Sequence, residues 1–145
     1  MKTTKKIILA VVVLALLLTA ALGMVACNKN PVQLKDTAVI IPLDSKVMSD
    51  IEGKHLIDYL NALQDKGYLT YNAPGGFIDT INDLKADASQ SEYWFIYTDD
   101  EANSNADWGT YDLDGKTLGS AIYGITDLPL KEGATYVFVV SKYEY

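Results

Sequence analysis

Only one stretch beyond residue 37 has helical periodicity. Leu56, Ile57, Leu60 and Leu63 recur at i, i+1, i+4 and i+7 within residues 54–66, while Asp58, Asn61, Gln64 and Asp65 fall elsewhere. That is the spacing of a helix with one apolar face, and Gly67 supplies the left-handed residue that ends it. Everything around it is short and β-prone: residues 37–43, 68–71, 77–81, 93–98, 109–113, 117–123 and 135–143. The separators Asn72-Ala73-Pro74-Gly75-Gly76, Asp114-Gly115 and Lys131-Glu132-Gly133 carry turn chemistry. Asp114-Gly115 between two alternating runs predicts a hairpin. Pro42 favours an edge or a strand end. Val137 and Val139 alternate with Tyr136, Phe138 and Val140, so the last run is apolar on both sides and belongs in the middle of a sheet. One helix across a mixed sheet of four or more strands is an α+β domain.

The N terminus has a different character. Met1 to Lys6 is basic, Ile7 to Ala21 is apolar and uncharged, and Leu22-Gly23-Met24-Val25-Ala26-Cys27 follows. A small residue directly before a cysteine, after an apolar run, resembles a bacterial lipobox, with Met24 where leucine is commoner. The resemblance implies cleavage before Cys27 and a diacylglyceryl group on its sulfur. An uncleaved membrane anchor and an ordinary cleaved secretory signal are the alternatives. All three put the remainder outside the cytoplasm, on the outer face of the cell membrane if the cell is Gram-positive. The expected division is a signal peptide over 1–26, a lipidated Cys27 with a polar tether over 27–36, and a folded domain over 37–145.

Cys27 is the only cysteine, so the domain has no disulfide or thiolate metal site to lean on, and its core must hold it. The chain has twelve basic residues, all lysine, and nineteen acids. Lys2, Lys5 and Lys6 leave with the signal, which takes the net charge to about -10. A surface of that sign excludes nucleic acid, whose phosphates need Lys and Arg. The absence of arginine also removes the bidentate forks that hold phosphorylated ligands.

Three segments occur in order: Gly75-Gly76-Phe77-Ile78-Asp79-Thr80-Ile81-Asn82-Asp83, then Tyr93-Trp94-Phe95-Ile96-Tyr97, then Leu130-Lys131-Glu132-Gly133-Ala134-Thr135-Tyr136-Val137-Phe138. Together, over about residues 56–143, they resemble the transcobalamin-like C-terminal domain family. In animal cobalamin carriers this is the small β-rich domain that closes over the corrin. Bacterial members are commonly lipoproteins or parts of surface proteins. The resemblance implies a β-grasp-like fold and a ligand-binding role, with cobalamin or another corrinoid as the ligand. It implies candidate ligand residues Thr80, Ile81, Asn82 and Asp83, and Tyr93, Trp94, Phe95 and Ile96. The chain departs from the carriers at Phe95, where they can have a polar residue. It also lacks their large helical domain, the other half of the carrier's site.

Two readings of the aromatic run stay open. In a strand, Tyr93, Phe95 and Tyr97 share one side and Trp94 and Ile96 the other. Either both sides are core, or one row joins Trp108 as a platform for a flat or sugar-like ligand. The segment Asp99, Glu101, Asn103, Asn105, Asp107 places oxygens at alternate positions. It reads as a solvated loop or as a weak calcium site, and Ser104 stands where an EF-hand has glycine. His55 is the single histidine, and no serine or cysteine nucleophile pairs with it, so an enzyme is not expected. The expectation is a membrane-tethered ligand-binding module that passes a small molecule to a membrane transporter. The alternative is a cell-surface domain that contacts another surface protein or a cell-wall polymer and holds no small ligand.

Overall fold

The computed structural model of the chain describes residues 29–143. The expected signal peptide and Cys27 lie outside the described residues. The elements in order are β1 (Gln33–Lys35), β2 (Ala38–Pro42), α1 (Leu56–Asp65), β3 (Tyr71–Asn72), β4 (Thr80–Ile81), β5 (Leu84–Lys85), β6 (Glu92–Thr98), β7 (Ser104–Leu113), β8 (Lys116–Ala121) and β9 (Thr135–Lys142). Six strands form one sheet in the order β1-β2-β9-β6-β8-β7, and β3, β4 and β5 form a second, small one. The fold is α+β: among the described residues, one α-helix on antiparallel sheet.

Two expectations about the sheet change. It was expected to be mixed, but every pairing among the described residues is antiparallel. β2 and β6 do point the same way. The last strand, β9, inserts between them and converts a parallel neighbour pair into two antiparallel ones. The segment expected as a tether also contributes a strand: Gln33–Lys35 pairs with β2, Leu34 opposite Val39. The ordered sheet therefore begins before residue 37.

The helix packs as its periodicity requires, with one change. Leu56, Tyr59, Leu60 and Leu63 are buried, at i, i+3, i+4 and i+7, and Ile57 is half-buried at the flank. They meet Val39 and Ile41 of β2, Tyr136 and Phe138 of β9, and Ile81, Ile125 and Leu128. Tyr59 enters this core because its hydroxyl is satisfied at the far side: it donates to the Pro42 carbonyl at 3.0 Å and accepts from the Asp44 amide at 2.9 Å. The helix start is closed by backbone. The amides of Leu56 and Ile57 donate to the carbonyls of Leu128 and Ile125, both at 2.9 Å, and the His55 amide donates to the Asp58 carboxylate at 2.8 Å.

Tyr136 is fully buried in the middle of the core. Its hydroxyl accepts from the Lys131 amide at 3.2 Å and donates to the Pro129 carbonyl at 3.4 Å. Burial pushes its pKa up to about 12, helped by the nearby Asp100 and Asp99 charges. A hydroxyl whose folded pKa is raised stabilises the fold fully below the unfolded value of about 10 and loses that contribution as pH rises through the folded one. Absorbance at 295 nm should therefore show a group of tyrosines titrating normally and a late step between pH 10 and 12 that coincides with unfolding. In Tyr136→Phe the late unfolding should move to higher pH. A single early titration with no linked unfolding contradicts the assignment.

The opposite side of the sheet has its own small core. Ala38, Ile40, Val137 and Leu118 are buried there, with Tyr97, Tyr111, Leu113 and Val139 packed on them. The β7–β8 hairpin provides the cover. Its turn is Asp114-Gly115, with φ of 50° and 84° and Leu113 opposite Lys116, the two left-handed residues of a tight hairpin. Flat sheet spacing would put β1 and β7 roughly 24 Å apart. Instead Lys35 of β1 reaches Asp114 at the hairpin tip, 3.6 Å away, so the hairpin folds over the sheet toward the far edge.

Candidate functional site

Three segments converge beside β6. The first is the turn Pro74–Gly76. Gly76 has φ 85°, and a Cβ there would lie 2.9 Å from Thr126 Cγ2, so the turn can press against the 124–126 loop only as glycine. This turn sends Phe77 outward, 81% exposed, and leaves Ile78 half-buried. The second segment is β6, whose Trp94 and Ile96 lie on the helix side of the sheet. The third is Gly124-Ile125. Between them is an apolar cleft of about 230 Å³, with Tyr93 at its border. The Trp94 indole N–H donates to the Asp79 carbonyl at 3.0 Å. That bond fixes the ring, ties β6 to the segment before β4 and spends the indole's only donor.

The sequence-predicted ligand residues separate into different places. Trp94 and Ile96 line the cleft. Phe95 alternates to the other side of β6, and so does the side chain of Tyr93, which is 47% exposed. Ile81 is fully buried in the main core. Thr80 donates to the Asp79 carboxylate at 2.9 Å. That bond, with the Lys85 ammonium 3.7 Å away, holds the Asp79 carboxyl below its usual pKa. Asn82 is a clamp: at φ 51° in the β4–β5 turn, its side-chain oxygen accepts from the Thr70 amide at 2.9 Å and its own amide donates to the Thr70 carbonyl at 2.7 Å. Asn82 and Asp83 border a different groove of about 180 Å³, shared with Leu34 and Asp36.

Trp108 does not join Trp94. Between Asn105, opposite Ser120, and Thr110, opposite Gly119, β7 carries four extra residues, and Trp108 stands in this bulge, 65% exposed. The neighbouring Gly109 lies over the Tyr97 ring, on the hairpin side of the sheet. Trp108 therefore lies on the side of β6 that carries Tyr97, away from the Trp94 and Ile96 row. Trp108→Ala should lower the melting temperature by no more than 1–2 °C, because an exposed side chain away from a cap or core changes stability by about 0.5 kcal/mol at most. A drop of 5 °C in a thermal melt would place Trp108 in packing instead.

The alternating oxygens do not converge. Asp99 accepts from the Thr135 amide at 2.8 Å and from Lys116 at 2.7 Å. Asn103 gives its amide to Asp100 at 2.7 Å, and the Asn105 oxygen accepts from the Asp107 amide at 2.9 Å. Glu101–Asn103 is a short 3-10 turn and Asn105 and Asp107 belong to β7, so the segment is folded rather than a solvated loop. Among the described residues no three His, Cys, Asp or Glu side chains are grouped to hold a metal ion.

Phe77, Ile78, Gly124 and Ile125 were not singled out in the sequence as site residues. The first two sit in the Gly75-to-Asp83 segment, where an aromatic after Gly-Gly reads equally as the start of a strand. Nothing in Gly124-Ile125 signals a cleft wall. Another groove, about 330 Å³ between Leu43, Met48, Ile51 and Glu132, contains none of the candidate residues.

A family model described as a domain of unknown function, DUF4430, matches residues 53–114. The match spans α1, the small sheet, β6, β7 and both the Phe77 and Trp94 walls of the cleft, and that domain falls in the transcobalamin-like family. No curated protein and no solved structure matches the chain.

Proposed function

We propose that this chain is a membrane-tethered, extracytoplasmic ligand-binding module: Cys27 carries the lipid, and the folded part holds a small molecule in the cleft beside Trp94 for delivery to a membrane transporter. The observation that carries this reading is the open apolar cleft between Phe77, Trp94 and Ile125. Trp94, Ile96 and Ile125 pack on the main core at its floor, but Phe77 at its edge is 81% exposed, a large apolar side chain that the core does not use. The family match covers two of these walls, Phe77 and Trp94, and the resemblance to cobalamin carriers names a corrinoid as the ligand to try first. The function is binding without chemistry, and the β-grasp-like relationship to the carriers is part of the same proposal.

The test is a titration of the full chain in detergent with cobalamin and with a simpler corrinoid, followed by tryptophan fluorescence with an inner-filter control and confirmed by calorimetry. The proposal predicts saturable quenching that persists in Trp108→Ala, because Trp108 lies outside the cleft. Absence of saturable heat at high micromolar corrinoid would sink the corrinoid version.

A second reading has its own observation. Trp108 is exposed on the bulge of β7, an edge strand of the large sheet, where a surface protein or cell-wall polymer would find an aromatic handle. On that reading the protein is retained on isolated envelope material and Trp108→Ala is not. Equal retention of both proteins removes it.

A further inference from the structure

We infer that the cleft takes an uncharged, flat hydrocarbon-rich group no larger than a fused bicyclic ring, with Phe77 closing over it; this rests on the binding reading above and names the chemistry of its occupant. The argument starts from what the walls can offer. No wall residue carries a charge: the lining is Phe77, Ile78, Trp94, Ile96 and Ile125, with glycines and Tyr93 at the border. The one indole N–H is already bonded to the Asp79 carbonyl. A carboxylate, phosphate or polyol placed there would lose its water and gain almost nothing in return, at a cost of several kcal/mol per unpaired polar group.

Size sets the second limit. A cleft of about 230 Å³ is smaller than the roughly 300 Å³ at which sites for drug-sized ligands begin. At the ~30 Å³ that each water takes in the liquid, it offers room for on the order of ten non-hydrogen atoms. A whole corrin macrocycle does not enter; one edge or one appended ring does. The third point is Phe77. It borders the cleft and is 81% exposed, and it follows Gly75 and Gly76, both at positive φ. A ring in that position can stack on a flat guest held against the Trp94 indole, a contact worth a few-fold to tenfold in affinity.

The test compares 2-naphthol with 2-naphthoate, the same ring with and without a negative charge, on the full chain in detergent at pH 7. Binding is read from the backbone amide NMR signals of Gly76 and Gly124, which report the cleft and not the micelle. The expected result is saturable movement of both signals with 2-naphthol, at least ~10-fold weaker movement with 2-naphthoate, and roughly 5-fold weaker 2-naphthol binding in Phe77→Ala. Phe77→Asp, which cannot unfold the protein from so exposed a position, should weaken 2-naphthol further. Equal response to the two probes, or indifference to both Phe77 changes, overturns the inference. A cobalamin titration on the same sample separates the two claims. If cobalamin saturates the protein while 2-naphthol leaves Gly76 and Gly124 still, the occupant assigned to this cleft is wrong and the binding module stands. If 2-naphthol moves them and cobalamin does not, the inference holds and the corrinoid falls. If neither binds, both fall.

Discussion

Leu60→Asp will leave the domain unfolded at 25 °C. Leu60 is fully buried between α1 and the sheet, against the core of Val39, Ile41, Tyr136 and Phe138. Truncating such a leucine alone costs about 2–5 kcal/mol, and the introduced carboxylate adds an unpaired charge in an apolar interior. Together they take away most or all of the roughly 5–15 kcal/mol that holds a domain. Ile57→Asp is the informative partner. The sequence places residues 57 and 60 on one apolar face, but Ile57 is only half-buried at the helix flank, so its loss should be smaller by about 2 kcal/mol. Circular dichroism and a thermal melt check both. An unchanged melting temperature for Leu60→Asp contradicts the helix orientation.

Asp100→Ala is expected to cost about 2–3 kcal/mol at neutral pH. Asp100 is 1% exposed. Its carboxylate accepts from the Ala102 amide at 3.2 Å, the Asn103 side chain at 2.7 Å and Lys131 at 3.1 Å, and its amide donates to the Thr98 hydroxyl at 3.1 Å. These bonds join the β6–β7 turn to the segment that leads into β9. Burial alone would raise the Asp100 pKa, but the Asn103 and Lys131 bonds and the Lys131 charge outweigh it and hold the carboxyl below its usual value. A depressed folded pKa gives stability that is complete above the unfolded value, near 4, and is lost as pH falls through the folded one. Denaturant unfolding of the two proteins should therefore differ most at pH 7, and the gap should narrow steadily below pH 4. A gap that stays constant down to pH 2 would mean that the carboxylate charge contributes nothing.

The parts of the fold that were legible in the sequence are those dictated locally. The helix announced itself by its spacing, the β7–β8 turn by an Asp-Gly dipeptide, which tolerates two positive φ values, and the place of β9 by apolar residues on both sides. What was not legible depends on partners far away in the chain. Gln33–Lys35 has tether-like composition and becomes a strand because β2 offers it an edge. Ser104-Asn105 reads as loop and is drawn into β7 by β8, an instance of pairing overriding weak β propensity. The sheet was expected to be mixed because alternation marks β9 as central but does not tell which strands flank it.

The candidate site was legible to the same degree. Trp94 and Ile96 share one side of a strand, and alternation alone separates them from Tyr93 and Phe95. Thr80, Ile81, Asn82 and Asp83 looked like one wall, yet their side chains go to a carboxylate, the core, a backbone clamp and a second groove. Trp108, in the acidic segment that follows β6, looked like an extension of one of its aromatic rows. Four inserted residues put it on a bulge instead.

The two tryptophans are also the most direct test of the site. Each gives one indole N–H signal in a nitrogen-15 NMR spectrum, and Trp94→Phe and Trp108→Phe assign them. If the cleft binds the ligand, titration with cobalamin or with 2-naphthol moves the Trp94 signal saturably and leaves the Trp108 signal in place. Movement of the Trp108 signal alone would put the binding surface on the bulge of β7 and contradict the account.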